Sequence, residues 1–262
     1  MPFVNIKITR EGATASQKAE LIKDHVDAIN ITDNQTSVTR MSSLAACIRL
    51  KLMGLEPILQ MVTRDRNRIA LQSDILGAAS FDIHNILCLS GDHQSFGDCG
   101  PGQNVHDLDS MQLLQTVRYM RDEGKFQSGA ELHGIPKMFI GAASNPFAEP
   151  FEFRIHRLAK KIAVGADFIQ TQCIYNMDRL REFMKRAVDM GLHEKCYILA
   201  GVKPMKSVGM ARYMARSMDH INIPDDMIKR IQKVGDKVHE CILIAKEIIK
   251  AIKDAWRNGV MN

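Results

Sequence analysis

The sequence predicts an α/β fold, a (β/α)8 barrel of the TIM type that lacks a complete eighth strand. Strand-length apolar segments alternate with helical patterns along the chain, as they do in βαβ units. The strand segments are continuously apolar, which is typical of parallel strands covered by helices on both faces. With 262 residues, 45% of them hydrophobic, the chain can bury a large core,. We therefore expect one barrel domain over residues 1–262.

Seven segments have the length and composition of strands. They are FVNIKI near the N-terminus and, after it, Ala28 to Thr32, Pro57 to Val62, Asn85 to Ser90, Met138 to Ala143, Phe168 to Cys173 and Tyr197 to Val202. The C-terminal NGVMN, residues 258–262, resembles the start of an eighth strand. An open doubly wound sheet is the alternative, but no glycine-rich fingerprint follows the first convincing strand.

Apolar residues between these segments recur at spacings of three and four, which indicates helices. One pattern runs from Val38 to Leu52, with Gly54 at the position of a C-terminal cap,. A second runs from Met177 to Ala187, ahead of Gly191. The pattern from Val238 to Trp256 predicts the helix after the seventh strand.

Composition and charge exclude several classes of function. No apolar run reaches the ~20 residues of a membrane-spanning helix, and the N-terminus has no signal-peptide pattern, so we expect a cytoplasmic protein. The net charge of +5 is spread along the chain, which disfavours nucleic-acid binding and suits an anionic small ligand,. The six cysteines have no paired spacing, so we expect buried free thiols and no metal site,.

Polar side chains follow six successive predicted strands, where the catalytic face of such a barrel is built. They are Thr32, Asp33, Asn34 and Gln35; Gln60, Thr63, Arg64 and Asp65; Gly91, Asp92 and His93; Ser144 and Asn145; Thr171, Gln172 and Tyr175; and Lys203, Lys206 and Ser207. Asp33, Asn34 and Asp65 also fit ordinary turns or N-caps. Gln172 is harder to explain by structure alone, since an amide within an apolar strand needs a partner. We expect a ligand site at these strand ends.

Several long motifs resemble the methylenetetrahydrofolate reductase family, particularly its short bacterial form in acetyl-CoA-pathway organisms. They are VDAINITDNQTSVTRMSSLAA, GLEPILQMVTRDRNRIALQSDILGAA, NILCLSGDH, HDLDSMQLLQ, GADFIQTQCIYN and LAGVKPMKSVGMARYM. They stand in the family's order and spacing from about Lys18 to the C-terminus.

The resemblance implies an oxidoreductase of one-carbon metabolism and methionine biosynthesis. A bound flavin, FAD with FMN as the alternative, would reduce 5,10-methylenetetrahydrofolate to 5-methyltetrahydrofolate by hydride transfer. NADH or NADPH is the implied electron donor, and a protein donor serves in some anaerobes. Asp92 and Gln172 match the catalytic residues, the first an acid near flavin and pterin and the second a glutamine that contacts folate.

The remaining matched residues imply a cofactor site and a substrate site. The implied cofactor residues are Thr32, Gln60, Gly91, Asp92, Asn145 and Lys161, of which Asn145 and Lys161 match positions for the flavin's phosphates and ribose. Gln60 stands where many relatives have a histidine, and Lys161 equally fits a solvated helix face. Gln172 and Ser207 match the folate site, Ser207 in the loop that covers it. No metal, membrane or nucleic acid is implied.

The first 24 residues depart from the family. Their strand lacks the family's glutamate, which helps to protonate the folate, and the segment instead resembles the N-terminus of 4-oxalocrotonate tautomerase. In that family Pro2 would be the general base and Arg10 a substrate partner, but the rest of the ~60-residue subunit that tunes the proline pKa is missing. The alternative function is therefore a non-catalytic or partner-dependent flavin/folate-binding subunit, or a truncated fragment. A homo-oligomer or a partner subunit could complete the missing parts.

Overall fold

The computed structural model describes residues 3–6, 13–217 and 221–257. The chain divides into two compact units. The first contains Met1–Ala142 and Val164–Ala166, and the second contains Ala143–Ala163 and Asp167–Asn262. The predicted single barrel domain thus stays a prediction, while the alternation of parallel strands and helices is confirmed within each unit.

Parallel strands in chain order form the sheet of the first unit. They are β1 (Phe3–Ile6), β2 (Ala28–Ile31), β3 (Pro57–Val62), β4 (Asn85–Leu89) and β5 (Phe139–Ser144), whose last two residues belong to the second unit. Leu59 pairs with Ile31 on one side and with Ile86 on the other. All six residues of β3 are buried. Continuous burial explains why this strand is apolar at every position except Gln60.

Four helices connect or flank these strands. They are α1 (Ala13–Ile22), α2 (Ser43–Leu52), α3 (Arg68–Ser80) and α4 (Ser110–Asp122). Asp109 begins α4 with a capping box, in which its carboxylate accepts from Met111 and Gln112 and the Gln112 side chain accepts from the Asp109 amide,. Gly54 follows α2 with φ of 76°, the left-handed conformation that a C-terminal cap requires,.

The second unit contains two parallel strands and five helices in its described part. They are β6 (Phe168–Cys173), β7 (Tyr197–Gly201), α5 (Glu152–Ala163), α6 (Met177–Asp189), α7 (Val208–Ser217), α8 (Asp225–Lys233) and α9 (Lys237–Arg257). Gly191, with φ of 63°, follows α6 as predicted. Apolar side chains of β6, α6 and α9 build the core, among them Phe168, Phe183 and Ile244.

Two predictions about secondary structure need correction, and a third falls on residues that are not described. The helix expected from Val38 begins at Ser43, because Val38 is extended, with φ of -97° and ψ of 125°, and Ser42 is the N-cap. Strand β7 is only partly covered: Tyr197 is 70% exposed, and no strand follows β7 in the described residues. The expected eighth strand at 258–262 lies outside the described residues, as do Pro2 and Arg10 of the tautomerase-like segment.

All six cysteines are free, but not all are buried as expected. Cys99 is exposed and Cys173 is partly exposed, while the other four are buried. No helix in the described part of the chain is long and apolar enough to cross a membrane. Within the same residues, no three His, Cys, Asp or Glu side chains are grouped so that they could hold a metal ion.

Candidate functional site

Arg64, at the end of β3, is the centre of a hydrogen-bond network in the first unit. Its side chain is 3% exposed. Its Nε and Nη2 donate to the two carboxylate oxygens of Asp65 at 2.6 and 2.7 Å. Nη2 also donates to the Asn34 carbonyl at 3.2 Å, and Nη1 donates to the Ser37 hydroxyl and the Asp92 carbonyl at 2.9 and 3.0 Å. We call these five residues the Arg64 network.

The network shifts the pKa values of its own members. Hydrogen bonding to Asp65 raises the pKa of Arg64. Burial pushes the pKa of Asp65 upward, but hydrogen bonds from Arg64 and Asn34 outweigh burial, so the net pKa is lowered,. Both groups are therefore charged at neutral pH, and the buried guanidinium has a partner charge.

Asp92 lies at the end of β4 and is exposed. Its Oδ2 accepts a hydrogen bond from the Thr36 amide at 3.1 Å. Gly91 precedes it with φ of 85°, and a Cβ there would lie 3.2 Å from the Val62 Cβ and 3.3 Å from the Arg64 Cβ. Gly91 is thus required by backbone conformation and close approach. The loop that carries Asp92 is therefore held by the Thr36 amide and by the close packing of Gly91 against Val62 and Arg64.

Asp33, at the end of β2, is a buried carboxylate with structural partners. It is 5% exposed, accepts from the Val62 amide at 2.9 Å and is hydrogen-bonded to Arg66. Burial raises the pKa of Asp33, and the Arg66 charge opposes that rise. Neither Asp33 nor Asp65 caps an α-helix, since Ser42 is the N-cap of α2 and Asn67 is the N-cap of α3. The N-cap interpretation of these acids is wrong.

Two buried hydroxyls at the same strand ends are unsatisfied. Thr32 and Thr63 are 5% and 0% exposed, and their hydroxyl oxygens have no hydrogen-bond partner among the described residues. Gln60 is also buried, and its carbonyl accepts from the Ser43 hydroxyl at 2.9 Å. A buried hydroxyl without a partner costs free energy unless something else binds it. These positions can therefore take hydrogen bonds from a ligand.

A cavity of about 210 Å³ lies in the second unit, between the ends of β5 and β6 and helix α5. Its lining residues are Ala143, Ser144, Asn145, Arg154, Arg157, Leu158, Lys161 and Gln172. Three of these described lining residues are cations and none is an acid. The cations lie at spacings of three and four along α5, which puts them on one helix face. The arrangement suits an anionic group.

Neighbouring side chains hold this wall of the cavity in place. Lys161 donates to the Ala143 carbonyl at 2.5 Å, and Arg154 donates to the Ala148 carbonyl at 3.1 Å. The Phe151 ring, just before α5, has the Arg179 and Arg186 guanidinium carbons of α6 at 4.7 Å from its centroid,. The start of α5 is therefore fixed against α6.

Gln172 reaches the cavity from a β-bulge. Gln170 pairs with Leu199 and Cys173 with Gly201, so two residues of β6 stand opposite one residue of β7. The buried Thr171 hydroxyl accepts from the Gly201 amide and donates to the Gln172 carbonyl, both at 2.9 Å. Such bulges re-aim side chains beside functional sites. The bulge explains how a polar amide is accommodated in an apolar strand.

Ser207 has a structural role that sequence reasoning did not assign. Its hydroxyl accepts from the Met210 amide at 3.1 Å, at the beginning of α7. Nearby, the Tyr175 hydroxyl donates to the Lys203 carbonyl at 2.8 Å and so ties the loop after β6 to the loop after β7. Ser207 does not line the cavity of the second unit.

The structure thus groups the predicted residues unit by unit. Asn145, Lys161 and Gln172 line one cavity in the second unit. In the first unit, Asp92 belongs to the Arg64 network and Gly91 adjoins it. Sequence reasoning did not single out Arg154 or Arg157, and it placed Arg64 and Thr171 among the strand-end polar residues without a specific role. The helical spacing of the basic residues in FRIHRLAKK could have revealed the first two.

Comparisons with known proteins point to the same family that the sequence motifs resemble. The family model of methylenetetrahydrofolate reductase matches residues 10–262. A probable methylenetetrahydrofolate reductase (NADPH) of Caenorhabditis elegans is 23% identical over 206 residues, which cover 77% of this chain. The chain spans only 28% of the length of that relative.

A solved structure shares the fold. It is an uncharacterized protein from Clostridium thermocellum that binds two copies of 5-methyl-5,6,7,8-tetrahydrofolic acid. The TM-score is 0.66 at 14% identity, over 98% of this chain and 84% of the other. At this identity the likeness concerns the fold alone. The match of the family model over nearly the whole chain decides the assignment: the chain belongs to the methylenetetrahydrofolate reductase family.

Proposed function

We propose that the chain catalyses the flavin-dependent reduction of 5,10-methylenetetrahydrofolate to 5-methyltetrahydrofolate. The observation that carries the proposal is the cavity of the second unit, in which Asn145, Lys161 and Gln172 stand together in a chain of this family. When bound, the flavin would supply a hydride to the methylene carbon of the folate. The residues of the chain would bind, orient and electrostatically tune the two ligands.

The donor set of the cavity fits a phosphate-bearing cofactor. Lys161, Arg154 and Arg157 offer positive charge, and Asn145 offers an amide. Guanidinium groups bind phosphates through paired N–H donors, and an ammonium does so as a point charge. A cavity of about 210 Å³ is smaller than typical whole-ligand pockets of roughly 300–1,000 Å³,. We propose that it takes the phosphate and ribose part of FAD, with FMN as the alternative.

In the first unit, Thr32, Gln60, Gly91 and Asp92 are the proposed flavin residues. The unsatisfied Thr32 hydroxyl supports a ligand at this strand end,. Gly91 leaves the backbone open to a close approach. A carboxylate at Asp92 beside a flavin ring would oppose extra negative charge on the ring and so lower its reduction potential.

Gln172 and Ser207 are the proposed folate residues. A glutamine amide can both donate to and accept from the edge of a pterin, and the bulge directs Gln172 to the cavity,. Ser207 would act through the loop that it begins, since its hydroxyl caps α7. For the electron donor we propose NADPH or NADH, because the relative in Caenorhabditis elegans is described as NADPH-linked.

An absorption spectrum of the purified protein tests the proposal. We expect a yellow protein whose flavin bands bleach with a reductant and return on addition of methylenetetrahydrofolate. Lys161→Met should lose flavin, while Lys160→Met, a neighbour on the exposed face of α5, should keep it. Colourless protein that takes up neither FAD nor FMN, or equal flavin content in the two variants, would contradict the assignment.

A partner-dependent flavin- and folate-binding subunit is the second candidate. It is favoured by the composition of β1, FVNI, which contains no acid where the family carries its glutamate. General-acid assistance typically contributes ~100-fold or more. Protein that binds folate but turns it over only when a second subunit is added would select this candidate over the first.

A further inference from the structure

The Arg64 network joins the loops that follow three successive strands. Asn34 and Ser37 follow β2, Asp65 follows β3, and Asp92 follows β4. An arginine has five N–H donors in a fixed planar fork. All five of them are directed at these four residues, at 2.6 to 3.2 Å. One buried side chain thus sets the mutual position of three loops.

The loop after β2 needs such support. Asn34, Thr36 and Ser37 have φ values of 40°, 58° and 55°, a left-handed region that residues other than glycine adopt only at a cost in free energy,. Arg64 binds the first and last of these three residues. The middle one, Thr36, donates its amide to the Asp92 carboxylate. The strained loop is therefore shaped to present one N–H group to Asp92.

Arg64 holds Asp92 without neutralising it. Its Nη1 binds the Asp92 carbonyl, while its charge is paired with Asp65. The Ser37 hydroxyl, itself bound to Arg64, lies 2.9 Å from the carbonyls of both Asp92 and His93. The Asp92 carboxylate takes part in no ion pair with Arg64, and at this exposed position its oxygens remain accessible to a ligand.

We propose that Arg64 is a positioning residue that fixes the Asp92 carboxylate for the reaction. The inference rests on the proposed function only for what Asp92 faces; the placement of Asp92 by Arg64 is independent of it. A lysine at this position has one ammonium group and cannot serve three loops at once. Arg64→Lys should therefore release Asp92 while keeping the charge.

Hydrogen exchange of the protein without added ligand tests the placement. In Arg64→Lys, amides of residues 34–37 and 91–93 should exchange roughly tenfold faster, which corresponds to the loss of one charge-assisted hydrogen bond. Arg68→Lys is the matched control, because Arg68 forms an exposed ion pair with Asp107. Ser37→Ala removes only one partner of Arg64 and is the milder variant. It should show the same faster amide exchange, and it replaces Arg64→Lys in the test when that variant does not fold.

The rate at which methylenetetrahydrofolate reoxidises the reduced flavin tests the consequence. Arg64→Lys and Asp92→Asn should each slow this step, and the double variant should be no slower than Asp92→Asn alone, as expected when one residue acts through the other. Unchanged exchange in both Arg64→Lys and Ser37→Ala, or multiplicative losses in the double variant, would overturn the proposal. Protein without flavin uptake would refute the proposed function instead, and the exchange data would still decide the placement by Arg64.

Discussion

Gly201→Ala should destabilise the second unit, because the bulge of β6 leaves no room for a side chain on β7. A Cβ at Gly201 would lie 2.7 Å from the Thr171 carbonyl oxygen and 3.1 Å from that of Gln172. Both obstacles are backbone, so no side chain can rotate away. To reach the 3.0 Å that real Cβ atoms keep, the strands must separate by at least 0.3 Å, from 2.7 to 3.0 Å, at this point.

That displacement would lengthen two hydrogen bonds. The Gly201 amide donates to the Thr171 hydroxyl at 2.9 Å, and the Ile174 amide donates to the Gly201 carbonyl at 2.8 Å. Overpacking typically costs about 1 to 3 kcal/mol, and each weakened hydrogen bond adds about 0.5 to 1.5 kcal/mol. Overpacking and the two weakened hydrogen bonds together give a loss of about 2 to 6 kcal/mol in the free energy of unfolding of this unit.

Urea unfolding followed by Trp256 fluorescence measures the loss, since Trp256 is the single tryptophan and lies in the second unit. With a urea slope of about 1 to 3 kcal/mol per molar, the midpoint should fall by about 1 M or more. Gly235→Ala is the matched control, because its Cβ would meet no atom within 4 Å. Equal midpoints for the two variants would refute the steric reasoning and the register shift behind it.

Three further predictions concern a cap, an ionised group and the core. Asp109→Ala removes the N-cap of α4 and should cost about 1 kcal/mol in thermal or urea unfolding; a loss below 0.3 kcal/mol would contradict the capping box,. Because Arg64 and Asn34 hold the pKa of Asp65 below its ordinary value, the stabilisation from Asp65 is complete above that value and is lost as pH falls below about 4,. The stability difference between wild type and Asp65→Asn should shrink over that range, and a constant difference would argue against the hydrogen bonds. Phe183→Ala empties a fully buried core position and should cost about 3 to 5 kcal/mol, whereas a loss near 1 kcal/mol would mean that the site collapses around the smaller side chain,.

Continuous apolar segments predicted the strands, and periodic apolar patterns, two of them ahead of a glycine, predicted three of the described α-helices, α2, α6 and α9. The pattern ahead of Gly191 gave α6, and the pattern from Val238 to Trp256 gave α9 to within one residue at each end. These signals are local, since they depend on 3.6-residue periodicity and on the left-handed cap conformation. The start of α2 was predicted wrongly because such local signals carry no information about contacts with distant segments. Contacts from other strands, through Arg64, hold residues 34–37 in a shape that local apolar spacing does not encode.

The candidate site was predictable in residue type and only partly in arrangement. Polar residues at strand ends indicated Asp92 and Gln172, because an apolar strand gives such residues no packing reason. The bulge that accommodates Gln172 depends on Thr171 bonding across to Gly201, a contact between segments 30 residues apart. The cavity cations Arg154 and Arg157 lie on an ordinary amphipathic helix, where basic residues usually signify only a solvated face. That they line a cavity becomes evident only when the ends of β5 and β6 are placed beside them.

The buried polar side chains of the first unit include one kind whose hydrogen-bonding groups all have partners and another kind with a group that has none among the described residues. Every donor of Arg64 is used, so this side chain has nothing left to offer a ligand directly. The Thr32 and Thr63 hydroxyls lack a partner among the described residues, at an expected cost of about 1 to 3 kcal/mol each,. A sequence selected for stability alone would replace them with valine, which has the same shape without the unsatisfied group. Their presence beside a fully bonded Arg64 fits a frame that keeps a few hydrogen-bonding groups free for a bound molecule.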